Sequence, residues 1–337
     1  MNVITLRESE NERELLTKRF EINRAIREFF WQENFLEVET PLLVASPGQE
    51  PYLHPFETKV KDGWGTIHEG FLITSPEYAM KKLLVAGFAR IFHLSKVFRN
   101  NEEFGGTHNP EFTMIEWYRA GEEYKALCDD IENLTRFVAK KIGATTYEEA
   151  TFERISMKQL WEKYAGVNLD EYLTKESMHA LAIKKGYPVK ESEEYEDAFF
   201  RIFLNEIEPQ LTKPTCVYEY PKLLASLART CRHDERYVER VEAYIGGNEL
   251  ANGFGELTDA AEQRARLGEE QKLRKKIGNT YLPIDKEFLE CLEMGMPQSS
   301  GIALGVDRLA MALLNTKNIN ELLPFAAKNL FGQDLTK

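Results

Sequence analysis

Two apolar segments joined by a long charged loop constrain the fold of this chain more than any other feature. Residues 91–98 (IFHLSKVF) and 112–118 (FTMIEWY) are rich in aromatic and branched side chains, a composition typical of strands. The connecting residues 99–111 read RNNEEFGGTHNPE, which is longer than the roughly two to five residues of an ordinary hairpin turn. We therefore expect two strands whose connecting loop has a role of its own.

The second of these segments has two chemically different faces, because side chains alternate along a strand. The odd-numbered residues 113–117 form an apolar face that predicts contact with a core. The other face carries two apolar side chains, a carboxylate and a phenol: Phe112, Met114, Glu116 and Tyr118. This pattern indicates either a strand facing solvent or the floor of a pocket, with a flat ring at Phe112 and a cation at Glu116 and Tyr118.

Composition excludes several classes of protein. The 337 residues are 43% apolar and 29% charged, with a formal net charge of −12. Such an acidic chain has little attraction for nucleic acid, whose binding depends on Lys and Arg. The sequence has no long apolar run for a membrane span, no signal-peptide core and no cysteines at CxxC spacing for a zinc site. We expect a cytoplasmic protein without a membrane segment, folded as one domain over residues 1–337.

The remaining pattern mixes helices and strands without regular alternation, which predicts an α+β fold with an antiparallel sheet covered by helices. Residues 147–212 have the composition of a mainly helical insertion. The predicted helices are 8–33, 78–85, 121–142, 260–276 and 309–314, and the further predicted strands are 34–43, 71–74, 215–220 and 236–245.

Two later segments carry residues suited to phosphate chemistry. Glu242, Glu249 and Glu256 bracket a glycine-rich stretch, and carboxylates of this kind hold Mg²⁺ beside phosphates; the alternative is three separate surface acids. In GIALGVDR (301–308), Gly305 precedes a predicted helix whose start carries Arg308, a suitable phosphate ligand. The alternative there is close packing of a helix on a strand.

Four segments together resemble class II aminoacyl-tRNA synthetases of the lysyl type. NFLEVETPLL (34–43), with Pro41, resembles the first signature motif of that class, FRNNEEFGGTHNPEFTMIEWYR (98–119) the second, and GIALGVDRLAM (301–311) the third. HNPEFTM within the second motif, together with GFGELTDA (253–260), is similar to the lysyl branch in particular. The resemblance implies a sheet of six or seven antiparallel strands that holds a bent ATP, and a homodimer formed through the first motif.

The resemblance also implies roles for individual residues. Arg99 and Arg308 are the implied catalytic residues, acting on the α- and γ-phosphates, while Phe112 stacks on adenine. The full implied ATP site is Arg99, Glu102, Glu103, His108, Asn109, Phe112, Glu249, Leu250, Gly305 and Arg308. Glu242 and Glu249 are the implied Mg²⁺ ligands. The implied amino-acid site is Ser75, Glu77, Glu116, Tyr118, Asn252, Glu256 and Ala303, whose acids suit a lysine-like diamine.

The chain also differs from lysyl-tRNA synthetases, which carry an N-terminal anticodon-binding domain. Because the first motif begins so early in this sequence, we expect no anticodon-binding domain. Ser75, Ala303 and EWYR (116–119) are similar to a truncated branch that transfers (R)-β-lysine, or lysine less well, to elongation factor P. This makes elongation factor P the expected partner and tRNA an unlikely one. The alternatives are a stand-alone core that charges tRNA and an inactive regulator.

The second motif has one unusual feature. Its loop from Arg99 to His108 is one residue longer than is typical of the family. Glu102 and Glu103 are therefore both candidates for a single ATP-contacting acid, and Gly105 and Gly106 indicate a flap over the site.

Overall fold

The structure is a computed structural model that describes residues 3–225 and 227–332, apart from the side chains of residues 3–5. Its α-helices are α1 (Val3–Glu8), α2 (Glu10–Gln32), α3 (Glu77–Val85), α4 (Ala126–Ile142), α5 (Met157–Ala165), α6 (Lys175–Lys184), α7 (Tyr195–Ile202), α8 (Ala260–Lys276), α9 (Lys286–Gly295), α10 (Val306–Leu313) and α11 (Ala327–Phe331). Its strands are β1 (Leu36–Glu37), β2 (Leu43–Val44), β3 (Glu57–Lys61), β4 (Ile67–Leu72), β5 (Arg90–Phe98), β6 (Glu111–Ala120), β7 (Glu153–Ser156), β8 (Thr215–Pro221), β9 (Tyr237–Ile245), β10 (Asn248–Gly255) and β11 (Ser299–Gly305).

The main sheet has eight strands in the order β1-β5-β6-β11-β10-β9-β8-β7. The six central strands are antiparallel to their neighbours, whereas β1 and β7 add to the two edges in parallel. A separate three-stranded sheet has the order β2-β4-β3. The α+β prediction is confirmed, but the expected sheet of six or seven antiparallel strands is a mixed sheet of eight, with six antiparallel strands and two parallel edge strands. The two edge strands have two and four residues, too short for a periodic pattern to reveal them.

Several predicted elements need correction. The predicted strand 34–43 is mostly wrong, because only Leu36–Glu37 and Leu43–Val44 pair, and they pair in different sheets. Pro41 lies exposed between them. The glycine-rich stretch, for which no secondary structure was predicted, is largely β10, which pairs with β9 and β11 on its two sides.

The end signals of the long helices follow from sequence. Ser9 caps α2 by accepting a hydrogen bond from Glu12 N at 3.3 Å, and Asp259 caps α8 in the same way from Glu262 N at 2.8 Å. Helix α4 ends at Gly143, which adopts the left-handed conformation that glycine tolerates. Helices α2 and α4 pack on one face of the main sheet and bury Phe30, among others, against β5 and β6.

Residues 147–212 contain β7 and helices α5 to α7, which pack over β8 and β9 around a second apolar cluster. Trp161 and Phe199 lie at its centre with their rings 4.8 Å apart. The division of the chain into one domain with an insertion remains a prediction. Within the described part of the chain, every helix is too short or too polar to cross a bilayer.

A buried ion pair joins three parts of the fold. Arg19 on α2 donates to Asp307 Oδ1 at 2.6 Å, and both side chains are at most 4% exposed. The second oxygen of Asp307 accepts from Thr113 N of β6 at 2.7 Å. Asp307 therefore anchors the start of α10, and with it Arg308, to α2 and β6.

Replacing Asp307 should be strongly destabilising. Asp307→Ala leaves the Arg19 charge buried without its partner, which costs about 3–5 kcal/mol of unfolding free energy. Guanidinium unfolding of the full chain measures this loss. Glu14→Ala is the matched control, because Glu14 pairs with Lys18 on the surface of α2, the helix that carries Arg19, and exposed pairs contribute little. Equal unfolding midpoints for the two variants would contradict the anchoring role.

Candidate active site

A cavity of about 790 Å³ opens over the middle of the main sheet. Strands β6, β9, β10 and β11 form its floor, and α3, α8 and the β5–β6 loop (residues 99–110) contribute its walls. Of all the residues expected at the site, only Glu103 and Glu242 do not line this cavity. The fold thus brings together expected side chains from four separate segments of the sequence: 75–77, 99–118, 249–256 and 303–308.

Strand register sets the floor of the cavity. Glu116 of β6 pairs with Ala303 of β11, Ala303 pairs with Asn252 of β10, and Asn252 pairs with Glu242 of β9. The predicted two faces of β6 are confirmed, since Ile115 and Trp117 lie in the core while the even-numbered residues line the cavity. The solvent-facing alternative for this strand is wrong.

Three carboxylates and a phenol meet at one end of the cavity. Glu116 is 2% exposed and accepts hydrogen bonds from Ser75 Oγ and from Tyr118 OH, each at 2.6 Å. Glu77 begins α3, and Glu256, 1% exposed, follows β10. We name this group the acidic subsite: Glu77, Glu116, Tyr118 and Glu256.

A buried lysine that the sequence did not reveal lies behind the acidic subsite. Lys81 is 1% exposed, and its Nζ atom lies 2.5 Å from Glu77 Oε1 and 2.6 Å from Glu256 Oε2. Burial lowers the pKa of Lys81, but the two carboxylates raise it by more than burial lowers it. The pKa of Lys81 is therefore above its usual value. Lys81 is therefore a charged partner to both acids.

Burial also shifts the titration of the carboxylates. It raises the pKa of Glu116 to about 7, with Glu77 as the next contribution. It raises the pKa of Glu256 to about 8, opposed by Lys81 and reinforced by Glu77. Ionised carboxylates here lack the water that would stabilise them, so a cationic ligand would be favoured.

The other end of the cavity carries two arginines. Arg308 donates to the backbone oxygen of Glu249 at 2.8 Å, and its second Nη atom lies 3.2 Å from His108 Nε2. Burial, followed by Arg308, lowers the pKa of His108, so a neutral ring accepts this hydrogen bond. Arg99 lies over the Phe112 ring at 5.1 Å, and within the described residues its buried Nε has no acceptor. An anion such as phosphate would satisfy that donor.

The β5–β6 loop separates the two candidate acids. Glu102 lines the cavity, with its carboxylate 3.8 Å from His108 Nε2, whereas Glu103 is exposed outside it. Both ends of the Asn109 amide are hydrogen-bonded. Its Nδ2 donates to the backbone oxygen of Glu111 at 2.6 Å, and its Oδ1 accepts from Ala327 N at 3.0 Å. Asn109 thus holds the loop in place beside the site.

The expected magnesium ligands differ in availability. Glu242 accepts hydrogen bonds from Tyr220, Tyr244 and Arg240, which engage both of its oxygens. Glu249 is partly exposed, and burial and the Glu242 charge raise its pKa. The described residues contain no group of three or more His, Cys, Asp or Glu side chains that could hold a metal ion. Glu249 fits a magnesium ion whose other ligands are phosphate oxygens and water.

Comparison with known proteins identifies the family of this chain. The family model described as tRNA synthetases class II (D, K and N) matches residues 1–329. The chain belongs to this class II tRNA synthetase family. Relatives of this chain include proteins named elongation factor P-(R)-beta-lysine ligase. The protein of Pseudoalteromonas translucida (strain TAC 125) is 40% identical over 316 residues, covering 92% of this chain and 94% of the relative.

Two further relatives with this name have similar sequence identity to this chain. The protein of Haemophilus influenzae (strain PittGG) is 40% identical over 318 residues, covering 93% of this chain and 95% of the relative. The protein of Enterobacter sp. (strain 638) is 38% identical over 317 residues, covering 92% and 94%. The lysyl-type resemblance of the sequence motifs agrees with these names.

Sequence reasoning missed three residues that shape this class II site. Lys81 looks like an ordinary charged position of an amphipathic helix, although its spacing four residues after Glu77 was a usable signal. Arg240 holds Glu242 and also donates to Asn252 Oδ1 at 3.1 Å. Glu208 lies in a short helical turn, and burial, Glu249 and Glu242 raise its pKa to about 7. No pattern in the sequence indicated the last two.

Gly301 is required by the close approach of two acidic-subsite residues. A Cβ atom on Gly301 would lie 2.2 Å from the Tyr118 ring and 2.8 Å from Glu256 Oε1. Gly301→Ala should therefore displace Tyr118 and destabilise the fold by about 1–3 kcal/mol. Urea unfolding is the measurement, with Gly268→Ala of α8 as control, since a Cβ there meets nothing within 4 Å. Equal stability of Gly301→Ala and the original chain would refute this packing.

Proposed function

We propose that this chain activates (R)-β-lysine, or lysine less well, with ATP and transfers the acyl group to a lysine side chain of elongation factor P. The names of its relatives support this reaction. The observation that carries it is the acidic subsite at one end of a cavity whose other end holds Arg99 and Arg308. One end suits a diamine and the other suits phosphates.

The acidic subsite would bind the two ammonium groups of the amino acid. An ammonium removed from water costs several kcal/mol unless a carboxylate receives it. Glu77, Glu116 and Glu256 are the candidate receivers, with Tyr118 and Ser75 holding Glu116 in position. Asn252 and Ala303 lie beside Glu116 on the floor and would contact the carbon chain.

The arginine end would bind ATP. Arg99, whose Nε has no acceptor among the described residues, would donate to the α-phosphate, and Arg308, held by Glu249 and His108, would contact the γ-phosphate. Phe112, whose ring Arg99 contacts, would stack on adenine. Glu102 is the better placed of the two candidate loop acids because it alone lines the cavity. Leu250 and Gly305 would complete the nucleotide site.

The chemistry needs no covalent enzyme intermediate. The carboxylate of the amino acid attacks the α-phosphorus, the bond to the β-phosphate breaks, and pyrophosphate leaves. A neutral amine of the acceptor then attacks the carbonyl of the adenylate, and AMP leaves. The arginines would stabilise the developing phosphate charge, and positioning supplies the remainder of the acceleration. Mg²⁺ held by Glu249 would neutralise phosphate charge, and the nearby negative charge of Glu242 would add to the attraction for the ion.

The β5–β6 loop is the proposed contact for the acceptor protein. Its tip carries Phe104, which is 43% exposed, next to Gly105 and Gly106 at positive φ. The backbone oxygen of Gly106 accepts from Ile319 N at 2.8 Å, which links the tip to the segment after α10. A loop in this position would lie over ATP and extend towards a second macromolecule.

ATP–pyrophosphate exchange and transfer assays test this function. (R)-β-Lysine should support faster exchange than lysine, and radiolabelled acyl group should move to elongation factor P rather than to tRNA. Glu116→Gln should lower kcat/KM for the amino acid by about a hundredfold or more, because it removes a buried carboxylate partner. Glu122→Gln is the control, since Glu122 is exposed beyond the end of β6.

Other outcomes would favour the alternatives. Charging of tRNA without transfer to the protein would indicate a stand-alone lysyl-tRNA synthetase core. Absence of exchange with both amino acids would indicate an inactive regulator.

We also propose a homodimer formed around the first motif. Large apolar side chains of α2, β1 and β2 are about half exposed there: Phe20, Trp31, Leu36 and Leu43. Leu36→Glu combined with Leu43→Glu should convert a dimer to a monomer, measured by light scattering during gel filtration, because it places charges in an apolar contact. Ile183→Glu, at a similarly exposed site on α6, should leave the mass unchanged. A monomeric original chain would overturn the proposal.

A further inference from the structure

Lys81 combines complete burial with a position directly behind the acidic subsite. Its side chain is fully enclosed, and its Nζ atom touches Glu77 at 2.5 Å and Glu256 at 2.6 Å. The ring of Phe288 from α9 lies 6.0 Å from the same atom. Lys81 does not line the cavity, so it acts on a ligand only through the two carboxylates.

The charges of the subsite can be counted from these contacts. Glu77, Glu116 and Glu256 contribute three negative charges when ionised, and Lys81 contributes one positive charge. The net charge of −2 matches the two positive charges of a diamine, while the carboxylate of the amino acid would face the arginine end. Without Lys81, the subsite would hold three carboxylates for two ammonium groups, and one carboxylate would take up a proton.

We propose that Lys81 is a positioning and specificity-determining residue that sets the charge of the acidic subsite for a doubly cationic amino acid. The substrate named in this inference rests on the proposed function, whereas the charge balance rests on the contacts of Lys81. Lys81 lies between Glu77 and Glu256, offsets their mutual repulsion, and opposes the rise in the pKa of Glu256 that burial causes. It thereby orients the carboxylates that receive the ammonium groups.

The groups facing this cluster determine its pH dependence. They are Glu116 and Tyr118 from β6, Glu77 and Tyr78 from α3, Glu50 from the segment before β3, and Glu270 from α8, while the Phe288 ring of α9 is uncharged. Burial raises the pKa of both tyrosines well above the usual range, so they stay neutral between about pH 6 and 9. Titration in this range therefore belongs to the carboxylates.

A charge series of four proteins tests the proposal. The full chain, Lys81→Met, Glu256→Gln and the double variant carry subsite charges of −2, −3, −1 and −2. The readout is KM for lysine and for (R)-β-lysine in ATP–pyrophosphate exchange from about pH 6 to 9. Lys82→Met is the matched control, because Lys82 is the next residue of α3 and pairs with Asp285 and Glu287 near the surface.

The expected result follows from the sign of each shift. In Lys81→Met the carboxylates lose their cation and their pKa rises, so the ammonium groups bind well only at higher pH. KM near pH 7 should rise by about tenfold or more, and the midpoint of its pH profile should move up by about one unit. The double variant should return the midpoint towards that of the original chain, and Lys82→Met should not move it.

A merely structural lysine would give a different result. If Lys81 had only a structural role, Lys81→Met would be less stable, but the midpoint of the pH profile of KM would not change. An unchanged midpoint would overturn the proposal. If Lys81→Met does not fold, the double variant decides: a midpoint equal to that of the original chain supports charge balance, and a midpoint equal to that of Glu256→Gln contradicts it.

A second measurement separates this inference from the proposed function. If no amino acid supports exchange, the proposed function fails, and the unfolding free energy still reports on Lys81. A carboxylate whose pKa is higher in the folded than in the unfolded protein makes the free energy of unfolding fall as pH rises. This fall should be visible in Lys81→Met, and the double variant is compared with Lys81→Met. Lys81→Met should fall more steeply between about pH 6 and 9 than the original chain, and the double variant less steeply than Lys81→Met. Parallel curves would overturn the charge balance.

Discussion

The cavity exists because β11 has only small residues, Gly301 and Ala303, on the face that it turns to the cavity between β6 and β10. Gly301 leaves the space that the Tyr118 ring and the Glu256 carboxylate occupy, and Ala303 keeps the floor open beside Glu116. Antiparallel pairing then places an acid, a small residue, an amide and another acid in one row across four strands. The acidic subsite and the arginine end both depend on this row and its neighbours.

Electrostatic pairing behind the cavity is as important as the residues that line it. Asp307 is held by Arg19 and the backbone of β6, and so it anchors the helix that presents Arg308. Lys81 supports Glu77 and Glu256 in a comparable way at the other end. Each support is a buried charge with its partners satisfied, an arrangement that holds groups in place more reliably than exposed pairs do.

Sequence motifs predicted the strands and long helices that contain the site, because those segments have clear periodicity and end signals. The pocket face of β6 followed from alternation alone. The edge strands β1 and β7 were too short to give a pattern, and β10 was hidden by its glycine and asparagine residues, whose strand conformation depends on neighbouring strands. The loop alternatives Glu102 and Glu103 were equivalent in sequence, and only the direction of the loop places one of them in the cavity.

The sequence by itself determined the family, the α+β class and the residues of the signature motifs that line the cavity. These are properties of local pattern and of motifs whose order along the chain is informative. The tertiary structure alone decided the partners of the buried charges: Lys81 with Glu77 and Glu256, Arg240 with Glu242, and Arg19 with Asp307. Such pairs join residues as far apart as α2 and α10, and a charge in a sequence carries no mark of whether it will be buried or what will face it.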